Sequence, residues 1–190
     1  MRKVIWLVDM SLDGFMSGPR GELDWAAAHL DDELWEEVND LLGRVDRALF
    51  GRVTYQNFEQ YWPNVPGNPS SPKNELDFSR WIERTSKIVA STTLRKLEWK
   101  HSTLLSADVA DSISQMKKQS GKDLLLFGSR SFASCLLQAS LIDEIQIRIH
   151  PVILGVGRPL FKEGNERHML RLVKARTFHS GVFWLRYDVA

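Results

Sequence analysis

Two rhythms of apolar residues alternate along the chain. Val4-Ile5-Trp6-Leu7-Val8 is a continuous apolar run with β-branched members, bounded by the turn-rich segment 11–21, and reads as a buried central strand. Leu30, Leu34, Val38 and Leu41/Leu42 then recur at helical spacing with acidic residues between them, and Gly43 marks the end of that amphipathic helix. Ala48-Leu49-Phe50 is a short strand running into Gly51-Arg52-Val53-Thr54, after which Tyr55, Phe58 and Tyr61 predict a helix turn or two. Residues 62–73 collect prolines, glycine, asparagines and serines and read as a loop. A helix over 76–84 and a strand over 87–90 follow, the strand ending at Ser91-Thr92-Thr93.

The alternation then repeats. A strand near 102–105 precedes a helix from about 108, with Val109, Ile113 and Met116 on one face. Leu124-Leu125-Leu126-Phe127 is a fully apolar strand ending at Gly128-Ser129-Arg130, with a helix to about 138 that places Cys135 among Phe132, Leu136 and Leu137 as a small core residue. Ile145, Ile147 and Ile149 alternate with Gln146, Arg148 and His150, the pattern of a half-exposed strand. A glycine-rich connection runs from Pro151 through Gly155 and Gly157 to Phe161. The tail offers two strands around His179-Ser180-Gly181, with Phe183, Leu185, Tyr187 and Val189 on one face. Strands alternating with helices and closing in a hairpin predict an α/β fold, its central sheet mainly parallel with antiparallel strands at one edge.

Composition narrows the classes of function. The 190 residues fit a single domain over 1–190, since domains run roughly 50 to 250 residues. A formal net charge of only +1 gives no overall field to recruit nucleic acid or an acidic membrane surface. The single cysteine forms no internal disulfide, and the scattered histidines lack zinc-site spacing, so no metal is expected. The first apolar run stops at Asp9, too short for a signal-peptide core or a membrane span, and a cytoplasmic location is expected.

Parallel sheets of this kind bind ligands beyond the carboxyl ends of their strands. Three strand-to-helix turns are expected on that edge: Gly51-Arg52-Val53-Thr54, Ser91-Thr92-Thr93 and Gly128-Ser129-Arg130-Ser131. Glycine admits a ligand to the backbone, a helix start offers unpaired N–H groups, hydroxyls donate, and guanidinium forks onto phosphate oxygens. Each turn alone is ordinary turn chemistry. Together they point to a ligand with several phosphates, as in a dinucleotide. The Gly-x-Gly-x-x-Gly fingerprint is missing after the first strand, as is a Walker-type Gly-Lys-Ser/Thr, so neither standard phosphate-binding fold applies.

Ser11-Leu12-Asp13-Gly14-Phe15, residues 49–55, residues 87–94, Leu126-Phe127-Gly128-Ser129 and the run 141–157 appear together and span nearly the whole chain. In these stretches the chain resembles stand-alone relatives of the reductase domain of the bacterial riboflavin-biosynthesis deaminase/reductase, which share the three-layer dihydrofolate reductase-like fold. The resemblance implies NADPH as hydride donor. It places the cofactor phosphates at Gly51, Arg52 and Thr54, the adenosine 2′-phosphate beside Ser91 and Thr92, and the pyrophosphate at Gly128 and Ser129, with Arg130 adjoining. It also implies a homodimer. The deaminase half is absent, with no His/Cys zinc signature.

For the substrate side, Asp13 and Gly14 in the loop after the first strand are candidates to touch substrate, Asp13 also as a catalytic group; Asp-Gly is equally a good turn. Asp31 is a second candidate acid, near Leu30, where dihydrofolate reductases carry theirs; its plainer reading is a charge at a helix start. Trp25 and Trp62 are candidates to wall a flat heterocycle, or else packing. The expected activity is NADPH-dependent reduction of a small heteroaromatic or carbonyl/imine compound. The rival is an inert nucleotide- or pterin-binding module, and dihydrofolate reduction ranks last.

Overall fold

The computed structural model describes residues 1–161 and 167–190. β1 (Val4–Ser11) sits near the middle of the sheet, and its apolar run is continuous because both faces are covered. Ile5 and Leu7 face one layer of helices, while Val4, Trp6 and Val8 face the other. A short β2 (Phe15–Ser17) and a one-turn α1 (Asp24–Ala27) follow. Then come α2 (Asp32–Gly43), β3 (Val45–Gly51), α3 (Arg52–Tyr61), a 3₁₀ segment (Trp62–Gly67) and α4 (Lys73–Arg84). The second half comprises β4 (Ser86–Ala90), β5 (Ser102–Leu105), α5 (Val109–Lys118), β6 (Asp123–Phe127) and α6 (Arg130–Gln138). β7 (Glu144–His150), β8 (Arg158–Pro159), β9 (Leu170–Thr177) and β10 (Phe183–Val189) complete it.

The main sheet has the order β5-β4-β3-β6-β1-β7-β10-β9. β5 to β7 pair in parallel, and β10 lies antiparallel to both β7 and β9. The expected architecture is therefore present: three layers, a mainly parallel sheet and an antiparallel C-terminal hairpin at one edge. α2, α3 and α4 pack against Leu7, Phe50, Leu125 and Phe127 on one face. α5 and α6 pack against Trp6, Leu49, Leu124 and Leu126 on the other.

Three expectations need correction. β7 is not half-exposed, for Glu144, Gln146 and His150 on its polar side are all buried, each with polar partners. Their burial is tolerated because each finds a hydrogen bond. The Ser91 turn does not open a helix; an irregular segment joins it to β5, with Leu94 and Leu97 packed against the core. Cys135 is exposed, because its side of α6 faces outward while Phe132, Leu136 and Leu137 turn to the sheet.

Candidate active site

A cleft of about 790 Å³ opens at the carboxyl ends of the parallel strands. All eight residues expected at the phosphate turns line it: Gly51, Arg52, Thr54, Ser91, Thr92, Gly128, Ser129 and Arg130. The first and third turns are joined by hydrogen bonds. The Gly51 amide donates to Ser129 Oγ at 2.8 Å, and that hydroxyl donates to Thr54 Oγ1 at 2.9 Å. The absence of a side chain at Gly51 eases this approach, since a Cβ there would lie 3.2 Å from the Ser129 hydroxyl and press it aside by a few tenths of an ångström. Gly128 (φ 48°) and Ser129 (φ 53°) are both left-handed, which turns the chain sharply from β6 into α6. That turn is held from beneath, for the Trp6 indole donates to the Gly128 carbonyl at 2.7 Å and the Gly128 amide donates to Leu7.

Neither α3 nor α6 has a side-chain cap, so their first-turn N–H groups lack intrahelical partners at the rim of the cleft. Arg52 is exposed and donates to Gln56 Oε1 at 3.2 Å through Nη1, leaving further donors for an anion. Arg130 donates to the Pro159 carbonyl at 3.1 Å. At the middle turn, Ser91 Oγ accepts from the amides of Thr93 and Leu94, while the Thr92 and Thr93 side chains stay exposed.

The substrate-side candidates fall elsewhere. Asp13 is an exposed loop clamp: it accepts from Ser11 Oγ at 2.7 Å, from Leu154 N at 3.1 Å and from Gly155 N at 2.8 Å. These bonds, the Ser11 hydroxyl foremost, lower its pKa. Asp31 is the N-cap of α2, accepting from Leu34 N at 2.8 Å and from Ser180 N at 2.9 Å. Neither carboxylate, nor Gly14, nor Trp25 lines the cleft. Trp25 is buried edge-on to His150, with ring centroids 5.3 Å apart. Of the two tryptophans only Trp62 lines the cleft, and so does Cys135.

Among the described residues two carboxylates do line the cleft: Glu75 of α4, and Asp9, which ends the first apolar run at the carboxyl end of β1. β1 and β7 are in register, Asp9 against Arg148 and Ser11 against His150. Asp9 Oδ2 accepts from Arg148 Nη2 at 2.7 Å, and Oδ1 lies 2.8 Å from His150 Nε2. Burial alone would raise the Asp9 carboxyl, but the Arg148 guanidinium and the His150 bond outweigh it and hold it down at about 2. Asp9 is therefore an anion at neutral pH and cannot donate a proton there. Arg148 also lines the cleft and stacks over Trp184 at 5.6 Å, while its Nε and the His150 Nδ1 are buried without hydrogen-bond partners among the described residues. The sequence did carry a signal for this group: an aspartate closing a central strand at its ligand-binding end, opposite alternating polar residues. Its partners were legible only after pairing.

Fold and geometry agree with what the chain is similar to. The model of the RibD C-terminal domain matches residues 2–184. The chain belongs to the RibD C-terminal domain family. It is 32% identical to the uncharacterized protein YyaP of Bacillus subtilis (strain 168) over 186 residues, covering 98% of this chain and 94% of that protein. Among solved structures it is similar to a protein of Shewanella sp. PV-4 provisionally assigned to riboflavin biosynthesis, with TM-score 0.75, 21% identity and 99% of both chains covered. It is also similar to a diaminohydroxyphosphoribosylaminopyrimidine deaminase/5-amino-6-(5-phosphoribosylamino)uracil reductase of Thermotoga maritima, with TM-score 0.67 and 18% identity. That likeness covers all of this chain but only 57% of the Thermotoga protein. Like its RibD neighbours, the chain has the dihydrofolate reductase-like fold.

Proposed function

We propose that this RibD C-terminal domain protein is an NADPH-dependent reductase of a small heteroaromatic or carbonyl/imine compound. The observation that carries the reading is the convergence of three phosphate-suited turns on one rim of a cleft whose other half is walled by aromatic rings. Family membership supports it, since the Thermotoga neighbour is named as a reductase of an aminouracil.

Gly51, Thr54, Gly128 and Ser129 would hold the pyrophosphate with backbone and hydroxyl donors. Arg52 and the Ser91-Thr92 hydroxyls suit the further phosphate that distinguishes NADPH from NADH. The dinucleotide supplies a hydride when bound, and the chain supplies binding, orientation and exclusion of water. Asp9 holds no proton at neutral pH, so it is not the group that protonates the product.

Replacing Arg52 with Ala is expected to weaken NADPH binding by about 1.5 to 3 kcal/mol, the worth of bonds to a charged group. A fluorescence titration should show a larger loss for NADPH than for NADH. An unchanged preference would remove Arg52 from the 2′-phosphate. Loss of nicotinamide absorbance that depends on an added heterocycle or imine would exclude the inert-module reading. We further propose that the chain is cytoplasmic and works as a homodimer, with no nucleic acid or membrane as partner.

A further inference from the structure

The cleft is sorted by charge. Its rim half carries Arg52, Arg130 and the unpaired helix starts. Its other half lies over Leu7 of β1 and is walled by Trp35, Phe58, Trp62, Phe78 and Phe127. These rings form one continuous cage. Trp62 and Phe78 centroids are 4.3 Å apart, Phe58 and Phe127 5.2 Å, and Trp35 and Phe78 5.9 Å. The ionisable groups on described residues that belong to this half are Asp9, Arg148, Glu75 and the Tyr61 phenol. Glu75 accepts from the Tyr61 hydroxyl at 3.0 Å. Arg148 is bound to Asp9, and their side chains are only 13% and 21% exposed. The remaining guanidinium lining the cleft, Arg158, belongs to the separate β2–β8 ribbon and donates to the Pro19 carbonyl at 3.4 Å.

We propose that the aromatic half binds a flat, uncharged ring that carries no phosphate, which rests on the reductase reading because that reading assigns the rim half to the dinucleotide. A phosphate in the aromatic half would shed its water, face two carboxylates, and find the nearest guanidinium already taken. A cation would likewise shed its water, and the carboxylate at the floor, Asp9, is already taken by Arg148. A neutral ring pays neither cost and gains offset and edge-on contacts with the cage. The Asp9–Arg148 pair thus sets selectivity by cancelling charge at the floor, and opening the pair should alter selectivity.

The test uses a matched pair of fluorescent probes, 1-naphthol and 1-naphthyl phosphate, titrated against the full chain saturated with NADP+ so that the rim is filled. The expected result is binding of 1-naphthol at least about tenfold tighter than its phosphate ester, a difference of about 1.4 kcal/mol. Trp62→Ala should weaken 1-naphthol by roughly tenfold, in keeping with the worth of an aromatic contact plus its buried area, while the NADP+ titration stays unchanged. Asp9→Asn frees Arg148 and should narrow or reverse the gap between the probes. Equal or tighter binding of 1-naphthyl phosphate by the native chain overturns the proposal, as does 1-naphthol binding that ignores the loss of Trp62. A gap unmoved in a folded Asp9→Asn variant overturns the role given to the pair; should that variant not fold, the native and Trp62→Ala titrations still decide the proposal. Failure of NADP+ to bind would instead count against the reductase reading, and the naphthol titrations on the protein alone would then decide this inference separately.

Discussion

Asp9 combines stability and site in one carboxylate. Its folded pKa of about 2 lies below the ordinary value of 3.8, so its pairing stabilises the fold above that ordinary value. The contribution is lost as pH falls through about 2, where the folded carboxylate takes up its proton. A shift of this size corresponds to roughly 2 kcal/mol. Denaturation followed from pH 5 to pH 2 should show this acid-limb loss in the native chain and a correspondingly smaller one in Asp9→Asn. That variant should already be destabilised at neutral pH by about 3 kcal/mol, because it leaves the Arg148 guanidinium buried and unpaired. Gly51 makes a different residue-scale prediction. Its φ of −83° suits any residue, but a Cβ would press on Ser129. Gly51→Ala should therefore fold with nearly native stability while losing NADPH affinity, and a thermal melt beside a cofactor titration would show whether the two separate. The glycine turns were legible from residue type; the hydrogen bond joining Gly51 to Ser129 was not, because it links positions 78 residues apart.

At the scale of elements, α2 shows how one residue serves two readings. Asp31 looks like a candidate acid near the first long helix, yet its carboxylate is spent on the α2 N-terminus and on the Ser180 amide. Asp31→Ala should cost about 1 kcal/mol, the usual worth of an N-cap, with NADPH affinity and turnover per folded molecule unchanged. A fall in turnover beyond the unfolded fraction would restore it as a functional group. Asp13 likewise ties its loop to the 154–155 backbone, so its importance lies in loop order. The Ser91 turn is the converse case. Its hydroxyls are where strand periodicity places them, but Leu94 and Leu97 pack as irregular chain, which helical periodicity cannot anticipate.

Over the whole molecule, helices cover the two faces of the sheet unequally. α5 and α6 shield the face around β6, β1 and β3, while the β10–β9 end leaves Leu170, Leu172 and Phe183 exposed. β9 is also an open edge. Uncovered apolar sheet of this kind marks an association surface. Light scattering is expected to give twice the 21.8 kDa chain mass. Leu172→Glu combined with Phe183→Glu should shift it to a single chain without changing cofactor affinity. A monomer in the unaltered protein at high concentration would end the homodimer reading.

The hydrophobic rhythm alone pointed to the mainly parallel sheet with its antiparallel edge and to the strand ends where the cleft opens, because period and run length report burial one element at a time. The three phosphate-suited turns were equally visible, since glycine, hydroxyl and guanidinium declare their chemistry locally. Only the tertiary structure decided which acids line the cleft. Asp9 acquires its charge and its place from Arg148 and His150, about 140 residues along the chain, through strand pairing that no local pattern specifies.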